Sequence, residues 1–340
     1  MRNALLAAAL LAASYAHGAA FDSAAIGTTG GQFLELAPGA RAAAMGGAYV
    51  AAAEDATALY WNPAALSRIN GSSLALMHSS YLASTFFDYA SYGENLGNGG
   101  AFGLSVQYFS AQSITETQDY VPVGTFTPYD LAATVGYALT LNDDFPALAQ
   151  YSLGVSGKFI SSHILKTANT GAGDFGILSP AYFEDSFRWG VSGSNIGGTL
   201  KYEQTAENLP MSYRLGATFR PVEPWLLSAD AVFPRDGQPY AALGTEYRFV
   251  SLKGNTLSGR MGYNSQNVSS GLGFTGPSFG IGLGFQVLSV DYAFVPFGGL
   301  GQEHMLSLSF NFGAQQQRRE KSSRLEPVRR ESTRYDPWKW

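Results

Sequence analysis

Apolar and polar residues alternate along most of the chain, in short segments that begin near residue 73. In 211–220, for example, Tyr213, Leu215 and Phe219 share one side of the segment, whereas Ser212 and Thr218 share the other. The same period of two recurs in 152–159, 257–264 and 304–312. Because the side chains of an extended strand point alternately to its two faces, this pattern predicts strands with one apolar and one polar face.

Fourteen such segments, separated by clusters of Gly, Pro, Asn and Asp, are predicted to be strands. They lie near 73–81, 85–94, 100–110, 128–140, 150–163, 173–183, 187–195, 211–220, 226–233, 239–249, 257–264, 279–286, 288–295 and 303–312. An even number of strands of about ten residues each suits a membrane-spanning antiparallel barrel. Lipid offers the backbone no hydrogen-bond partners, so such a sheet has to close on itself. The pattern therefore predicts an all-β fold, a transmembrane antiparallel β-barrel.

A soluble β-sandwich or propeller is the alternative interpretation of the same strands. Two features favour the barrel. The second face of the strands is rich in Gly, Ser and Thr with isolated charges, as a wet lumen would be. Aromatic residues also concentrate near the strand ends, as they do at membrane surfaces. They are Tyr81, Phe86, Phe87, Tyr92, Tyr108, Trp189, Trp225, Phe233, Tyr240, Phe249 and Phe297, and the last strand ends in Phe310, Asn311 and Phe312.

The composition also favours a membrane barrel over a soluble protein. Charged residues make up 14% of the 340 residues, against about a quarter in soluble domains. Cysteine is absent, which excludes disulfides and cysteine-based metal sites. No apolar run of about 18 residues, the length that a transmembrane helix needs, follows Ala20. We therefore expect the chain to cross a membrane with strands only.

The first residues have the pattern of a secretory signal peptide. A short basic start precedes an apolar run over 4–13 and a cluster of small residues at 16–20. The apolar run is too short to span a bilayer easily, which argues against a retained membrane anchor. We expect residues 1–20 to be removed, with cleavage after Gly18 or Ala20.

Residues 314–340 form a basic tail without periodicity. They hold eight Lys and Arg against four acidic residues, in a chain whose formal net charge is -5. A charged segment with no apolar face is expected to be disordered. The last six residues, 335–340, contain two tryptophans, which supports a second hypothesis, that the tail docks on a partner or a membrane surface.

Residues 30–69 interrupt the alternation. Asp55 can cap a short helix over 56–61, because its carboxylate can accept from the free N–H groups of the first turn. Pro63 then disfavours the α conformation at Asn62 and ends that helix.

Two runs inside this interruption carry a resemblance to a known family. Arg41, Met45, Gly46 and Gly47 belong to the run RAAAMGGAYVA at 41–51, and Asp55, Asn62, Pro63 and Ala64 belong to the run EDATALYWNPAAL at 54–66. These runs resemble the start of the PorV/PorQ family of outer-membrane proteins, which is related to the FadL-type transporters. Further matches follow in the same order at 174–178, 195–197, 214–217 and 291–298, so the resemblance extends from about residue 30 to 313.

The resemblance implies a FadL-like barrel of fourteen strands, in agreement with the strand count. It also implies a small N-terminal plug, residues 21–69, inside a barrel formed by residues 70–313. PorV-type relatives serve secretion at the bacterial outer membrane and escort cargo proteins there. FadL-type relatives instead pass long-chain fatty acids or other hydrophobic small molecules. The expected partners are therefore outer-membrane lipid, with either secreted cargo proteins or hydrophobic small molecules, and not nucleic acid.

Nine charged residues fall on the polar face of the predicted strands and are expected to point into the lumen. They are Lys158, Arg188, Arg214, Arg220, Asp230, Glu246, Arg248, Arg260 and Asp291. Because arginine binds carboxylates in a bidentate manner, these residues could receive an anionic headgroup. The alternative, which we favour, is a set of interior ion pairs that anchor the plug, with Arg41, Glu54 and Asp55 as partners.

No other motif predicts chemistry. The histidines at 78, 163 and 304 are scattered, so no catalytic residue, metal site or cofactor is expected, and an outer-membrane hydrolase is a distant alternative. Gly271, Gly273 and Gly276 have the spacing of a dinucleotide-binding loop, but Pro277 follows where a helix should begin.

Overall fold

The structure is a computed structural model, and it describes residues 20–142, 146, 148–202, 204–251, 254–268 and 274–313. The predicted signal peptide, apart from Ala20, and the predicted tail lie outside the described residues. Within the described part of the chain, fourteen antiparallel strands close into one barrel. The predicted all-β barrel is therefore confirmed.

The strands are numbered along the chain, and two small hairpins share the numbering. The barrel consists of β1 Ser72–Ser80, β2 Phe86–Asn95, β3 Gly100–Ser110, β6 Tyr129–Thr140, β7 Ser152–His163, β8 Thr167–Leu178, β9 Phe187–Ile196, β12 Ser212–Val222, β13 Trp225–Pro234, β14 Tyr240–Val250, β15 Thr256–Asn264, β16 Pro277–Gly284, β17 Leu288–Pro296 and β18 Gln302–Asn311. The hairpins are β4 Ile114–Gln118 with β5 Val121–Phe126, and β10 Thr199–Lys201 with β11 Ala206–Asn208. Strand β18 pairs with β1, with Leu308 opposite Leu76, and this pairing closes the sheet.

The two ends of the barrel differ. The chain enters β1 and leaves β18 at one end, which we call the lower end. Both hairpins extend the loops at the opposite, upper end, where they follow β3 and β9. Short 3-10 helices also lie in upper loops, at Leu82–Ser84, Ser265–Asn267 and Gly298–Leu300.

All fourteen predicted strands are present, but one of them is displaced. The segment predicted at 173–183 forms β8, which ends at Leu178. Pro180 has no N–H to give to a ladder, so the strand cannot continue through it. Residues 167–170 pair with β7 instead. The alternation does not predict the hairpin β4–β5, because almost every residue of these two strands is exposed on both faces.

The predicted faces are present in three dimensions. In β12, Leu215 points outward and is 51% exposed, whereas Ser212 points inward and is 4% exposed. Exposed apolar side chains recur on the outer side of other strands, for example Leu104, Val135 and Leu283. The outer wall is therefore apolar, as contact with lipid requires.

Residues 20–71 precede β1, and we call them the plug. Residues 20–30 contact the upper loops, where the N–H of Phe21 donates to the carbonyl oxygen of Arg235 and that of Gly30 to Asn208, whereas most of the later residues lie inside the barrel. The plug forms the α-helices α1 (Ala40–Ala44) and α2 (Ala58–Trp61) and 3-10 helices at Ser23–Ala25, Gln32–Glu35 and Pro63–Arg68. Helix α1 contacts β15 to β18, whereas Pro63–Arg68 contacts β2, β3, β6, β7 and β8. The plug therefore touches most of the inner wall. Among the described residues, no helix is long and apolar enough to span a bilayer.

The alternation of faces generates a prediction for two neighbouring residues of β18. Leu308 pairs with Leu76 and Val290 on the outer wall, whereas Ser309 is 7% exposed and points into the lumen. Leu308→Arg should block assembly, since an arginine facing lipid at the bilayer midplane costs about 2–4 kcal/mol. Heat-dependent electrophoretic mobility of the protein folded into vesicles measures assembly.

Ser309→Arg is the matched control. Its side chain would enter a lower cavity of about 520 Å³, so the effect should be much milder. Equal damage by both substitutions would show that the outer face does not contact lipid.

Candidate functional site

The plug is held against the wall by hydrogen bonds from serines and an asparagine of the strands. The N–H of Ala40, at the start of α1, donates to Ser307 Oγ at 2.8 Å. The N–H of Gly46, just after α1, donates to Ser278 Oγ at 3.1 Å. Asn264 Nδ2 donates to the carbonyl oxygen of Gly46 at 3.2 Å. Buried backbone groups at both ends of this short helix thus find partners on the barrel.

The turn after α1 lies directly on the strand backbone. Met45 is fully buried, and Gly46 has φ of 67°, which favours glycine at this position. A Cβ atom on Gly46 would lie 2.7 Å from the backbone N atom of Tyr263. Gly47 follows at φ of 81° and packs against the ring of Trp61.

The NPA segment makes a similar contact on the opposite wall. Asn62 is fully buried and extended, with φ of -162°, so Pro63 ends α2 as predicted. Asn62 Nδ2 donates to the carbonyl oxygens of Val50 at 3.2 Å and Ile177 at 3.1 Å. Its Oδ1 accepts from the N–H of Ala64 at 3.1 Å. One side chain therefore joins two parts of the plug to strand β8.

These close contacts depend on strand glycines whose Cα atoms face the plug. A Cβ on any of them would collide with, or press against, plug residues between Ala44 and Ile69. They are Gly93, Gly103, Gly136, Gly154, Gly176, Gly190, Gly216, Gly244, Gly262 and Gly280, and we call them the glycine belt. Several are direct cross-strand partners, such as Gly93 with Gly103 and Gly244 with Gly262.

Trp61 lies at the centre of the plug and is 1% exposed. Its ring packs edge-on against Tyr49 and Tyr60, with centroids 5.6 Å and 5.3 Å away. Trp61 Nε1 donates to the carbonyl oxygen of Pro38 at 3.2 Å. The guanidinium of Arg214, from β12, lies over the Trp61 ring at 5.2 Å, which is a cation–π contact.

Arg41 connects the plug to a group of charges on β14 to β17. Its Nε and Nη2 donate to the two carboxylate oxygens of Glu246 at 2.8 and 2.9 Å. Arg260 donates to Glu246 at 2.6 Å and to Asp291 at 2.6 Å. Arg248 donates to Glu246 at 2.9 Å. Since Glu246 is 3% exposed, its charge depends on these guanidinium partners.

Glu54 forms a second connection near the lower end. Its Oε1 accepts from Arg220 of β12 at 2.7 Å and from Arg68 of the plug at 3.1 Å. Burial opposes ionisation of Glu54, but the charges of Arg68, Arg41 and Arg220 outweigh burial and hold the pKa of Glu54 well below its ordinary value. Glu54 therefore stays ionised across the physiological pH range.

The remaining predicted lumen charges have separate surroundings. Lys158 lies 3.0 Å from Asp174 Oδ1 and donates to Asn195 Oδ1 at 2.7 Å. Asp230 Oδ2 accepts from the N–H groups of Tyr49 and Val50 at 2.8 and 3.0 Å. Among the ion pairs of the described residues, none includes Arg188.

Asp55 does not contact a lumen arginine through an ion pair of the described residues. Its Oδ1 accepts from the N–H of Thr57 at 2.9 Å, one residue before α2 begins. The expected helix cap is therefore wrong in position: the helix begins at Ala58 and not at 56, its N-cap residue is Thr57, and Asp55 binds the turn before the helix. Asp174, Asn264, Ser278 and Ser307 were not among the expected site residues, although each binds a lumen charge or the plug.

The plug leaves a cavity on each side of it. The upper cavity has a volume of about 590 Å³ and is lined by aromatic and acidic side chains, among them Tyr81, Phe109, Tyr240, Glu35 and Glu303. The lower cavity, of about 520 Å³, is lined by Arg41, Arg68, Arg248 and Arg260 together with Glu54, Asp55 and Asp291. No group of three or more potential metal ligands of the His, Asp and Glu type is present among the described residues.

A closed barrel with an apolar outer wall and a lumen filled by an N-terminal plug defines the class of plugged outer-membrane β-barrels. The profile of the family described as type IX secretion system protein PorV matches residues 19–223. The chain belongs to this family, and the resemblance seen in the sequence is confirmed.

Solved structures of similar fold are hydrocarbon channels. The toluene transporter TodX of Pseudomonas putida has a TM-score of 0.55 and 14% identity, with 81% of this chain and 98% of that chain covered. The toluene transporter TbuX of Ralstonia pickettii has a TM-score of 0.50 and 13% identity, with 81% and 98% covered. At such identities the likeness concerns the fold alone. A sequence search of curated proteins finds no match.

The glycine belt generates a stability prediction. A methyl group at Gly154, on β7, would overlap the backbone of Pro63 and Ala64, which the hydrogen bonds of Asn62 hold in place. Gly154→Ala should therefore destabilise the protein by about 1–3 kcal/mol, as overpacking does. Urea unfolding in vesicles measures the change.

Gly157→Ala, on the same strand, is the control for that measurement. A Cβ there meets no atom within 4 Å, so the stability should change by less than about 0.5 kcal/mol. Equal stabilities of the two variants would contradict the contact between the plug and β7.

Glu35, at the end of its 3-10 helix, generates a prediction of pH dependence. Burial raises the pKa of Glu35 from 4.5 to about 7, with a further rise from Asp236 and an opposing effect of Arg214. Ionisation of Glu35 therefore destabilises the folded protein as the pH rises through this interval. Glu35→Gln should match the parent's thermal stability near pH 4.5 and exceed it above about pH 7.

Thermal melts near pH 4.5 and above about pH 7 test this expectation. Glu223→Gln, in the exposed turn between β12 and β13, should show no such pH-dependent difference. A gain from Glu35→Gln of the same size at both pH values would exclude ionisation as its cause.

Proposed function

We propose that this chain is an outer-membrane protein that serves protein secretion by the type IX route. The observation that carries the proposal is the match of the PorV profile to residues 19–223, because this range includes the plug and the strands up to β12. The apolar outer wall supports a position in the membrane. No catalysis is part of this role.

The packing of the plug supports a closed lumen. Arg41 and Glu246 are 12% and 3% exposed, so a movement of the plug would break a buried ion pair and leave Arg41 without its carboxylate partner. The glycine belt adds contacts on many strands, so the plug has no single hinge from which to swing. In this proposal, cargo proteins therefore contact the outside of the barrel or its loops and do not pass through the lumen.

The proposal includes an orientation and the roles of the chain ends. An even number of strands places the start of β1 and the end of β18 on the same side, which is the periplasmic side in bacterial barrels with short turns there. The lower end would then face the periplasm. Residues 1–20 would act as the signal peptide, and residues 314–340 would extend into the periplasm beside the plug.

A channel for hydrophobic small molecules is the second candidate function. The upper cavity favours it, since about 590 Å³ lined partly by Phe33, Phe109 and Phe297 could hold an apolar solute. Passage would require the plug to shift from its present packing. The lumen charges anchor the plug in both proposals, and the plug motif residues from Arg41 to Ala64 form the contacts.

Deletion of the gene tests the two functions together. We expect cells without this protein to accumulate type IX cargo in the periplasm, because the escort at the outer membrane is missing. Fractionation and immunoblotting of a surface-exposed cargo protein measure the effect. The parent gene and the Ser309→Arg variant should restore export, whereas Leu308→Arg should not.

Normal cargo export by the deleted strain would contradict the secretion role. If uptake of a radiolabelled hydrocarbon fell in the same cells, the channel function would replace it.

A further inference from the structure

Three aromatic rings meet at one side of the upper cavity. They are Tyr81, just after β1, Phe109 in β3, and Phe297, just after β17, and all three line the cavity. The Tyr81 ring stands nearly perpendicular to the other two, with centroids 6.5 Å from Phe109 and 6.1 Å from Phe297. The three rings are in edge-to-face contact and together present one aromatic wall to the cavity, and we call this wall with the neighbouring Glu303 the box.

Glu303, from β18, lines the same part of the cavity and is 7% exposed. Ser79 Oγ donates to its Oε1 at 2.6 Å. In the described part of the chain, the hydrogen bonds found for Glu303 involve this oxygen only, and no ion pair includes the residue. Its charge is close enough to Tyr81 to add to the effect of burial, which raises the pKa of that phenol to about 12. The box therefore contains a buried carboxylate with one free oxygen.

This arrangement is complementary to a cation. Aromatic faces attract ammonium groups electrostatically, most strongly where water is excluded. A buried carboxylate without a positive partner is costly, and a bound cation would lower that cost. Apolar ligands alone would gain nothing from Glu303.

The other charged side chains of the upper cavity also favour a cation over an anion. Glu35 and Asp130 also line it, whereas Arg214 is the one basic side chain among its described lining residues. The guanidinium of Arg214 already lies over the Trp61 ring. Leu36, Val295 and Met305 supply apolar surface between the charged groups.

We propose that the upper cavity binds an organic cation, an ammonium group attached to an apolar body, with the ammonium group in the box of Tyr81, Phe109, Phe297 and Glu303. The secretion role does not include this site, and the channel role assigns the same cavity to an uncharged solute. The site distinguishes the cavity from one built for fatty acids, whose carboxylate Glu303 would repel. The inference does not depend on the secretion role.

Three probes that share a phenyl ring test the proposal on the full-length protein. Benzyltrimethylammonium carries the cation, benzyl alcohol is neutral, and phenylacetate is an anion. Isothermal titration calorimetry in a nonionic maltoside detergent at pH 8 measures their binding. We expect benzyltrimethylammonium to bind at least about ten-fold more tightly than benzyl alcohol, and phenylacetate to bind more weakly than either. Equal affinities for the three probes would overturn the proposal.

Variants separate the roles of the charge and the rings. Glu303→Gln should weaken binding of benzyltrimethylammonium about ten-fold and leave benzyl alcohol unchanged. Phe297→Leu keeps an apolar side chain but removes one aromatic face, so it should also weaken the cation selectively. Glu223→Gln, in an exposed turn at the lower end, should bind all three probes as the parent does. Unchanged cation binding by both Glu303→Gln and Phe297→Leu would overturn the assignment.

Two features keep the test decisive. Heat-dependent mobility on gels reports whether each variant is a folded barrel, and if Glu303→Gln does not fold, the selectivity of the parent and of Phe297→Leu decides. Cargo export by cells is a separate readout, so a failure of cation binding leaves the secretion proposal standing, and the reverse also holds.

Discussion

Backbone-to-backbone contact between the plug and the wall is the constraint on which the rest of this structure depends. The glycine belt makes this contact possible, because an ordinary side chain at Gly154 or Gly262 would occupy the space of the plug itself. With the backbones this close, short side chains such as Ser278 and Ser307 can reach the plug's N–H groups. The plug also buries Glu246, which is 3% exposed, so the charge of this residue depends on the arginines that contact it.

Among the lumen charges, Arg220, Asp230 and Glu246 bind the plug directly. Glu246 gathers three guanidinium groups, and only one of them, that of Arg41, belongs to the plug. Removing Arg41 would therefore not leave Glu246 unpaired, whereas removing Glu246 would leave three cations near one another. This arrangement supports the interpretation of the lumen charges as plug anchors. An anionic headgroup would have to compete with carboxylates that are already bound to the arginines.

How much of this could be predicted depends on the distance between the interacting residues in the sequence. The alternation in β12 and β18 identifies strands and faces, because a strand's period is local. The end of β8 was misplaced, since the pattern continues past Leu178 and only Pro180 shows where pairing must stop. The glycine belt could not be recognised, because a strand glycine that admits a plug has the same local pattern as one at a bend. Nor could the partnership of Lys158 with Asp174 and Asn195, which depends on a register shift between β8 and β9.

The seam between β1 and β18 has a further consequence for how the molecule is made. The plug is the first part of the described chain, and it is tied directly to β1, yet it contacts strands on nearly every side of the lumen. The plug backbone lies directly against the wall at Gly154 and Gly262, and side chains such as that of Leu59 fill the space at other strands. Such a close fit opposes the threading of the plug into a barrel that is already complete. A wall that closes around the plug, with the pairing of β1 and β18 at Leu76 and Leu308 formed last, avoids this difficulty. Release of the plug on unfolding would then wait for that seam to part, so the lifetime of the folded protein, and not only its equilibrium stability, is determined there.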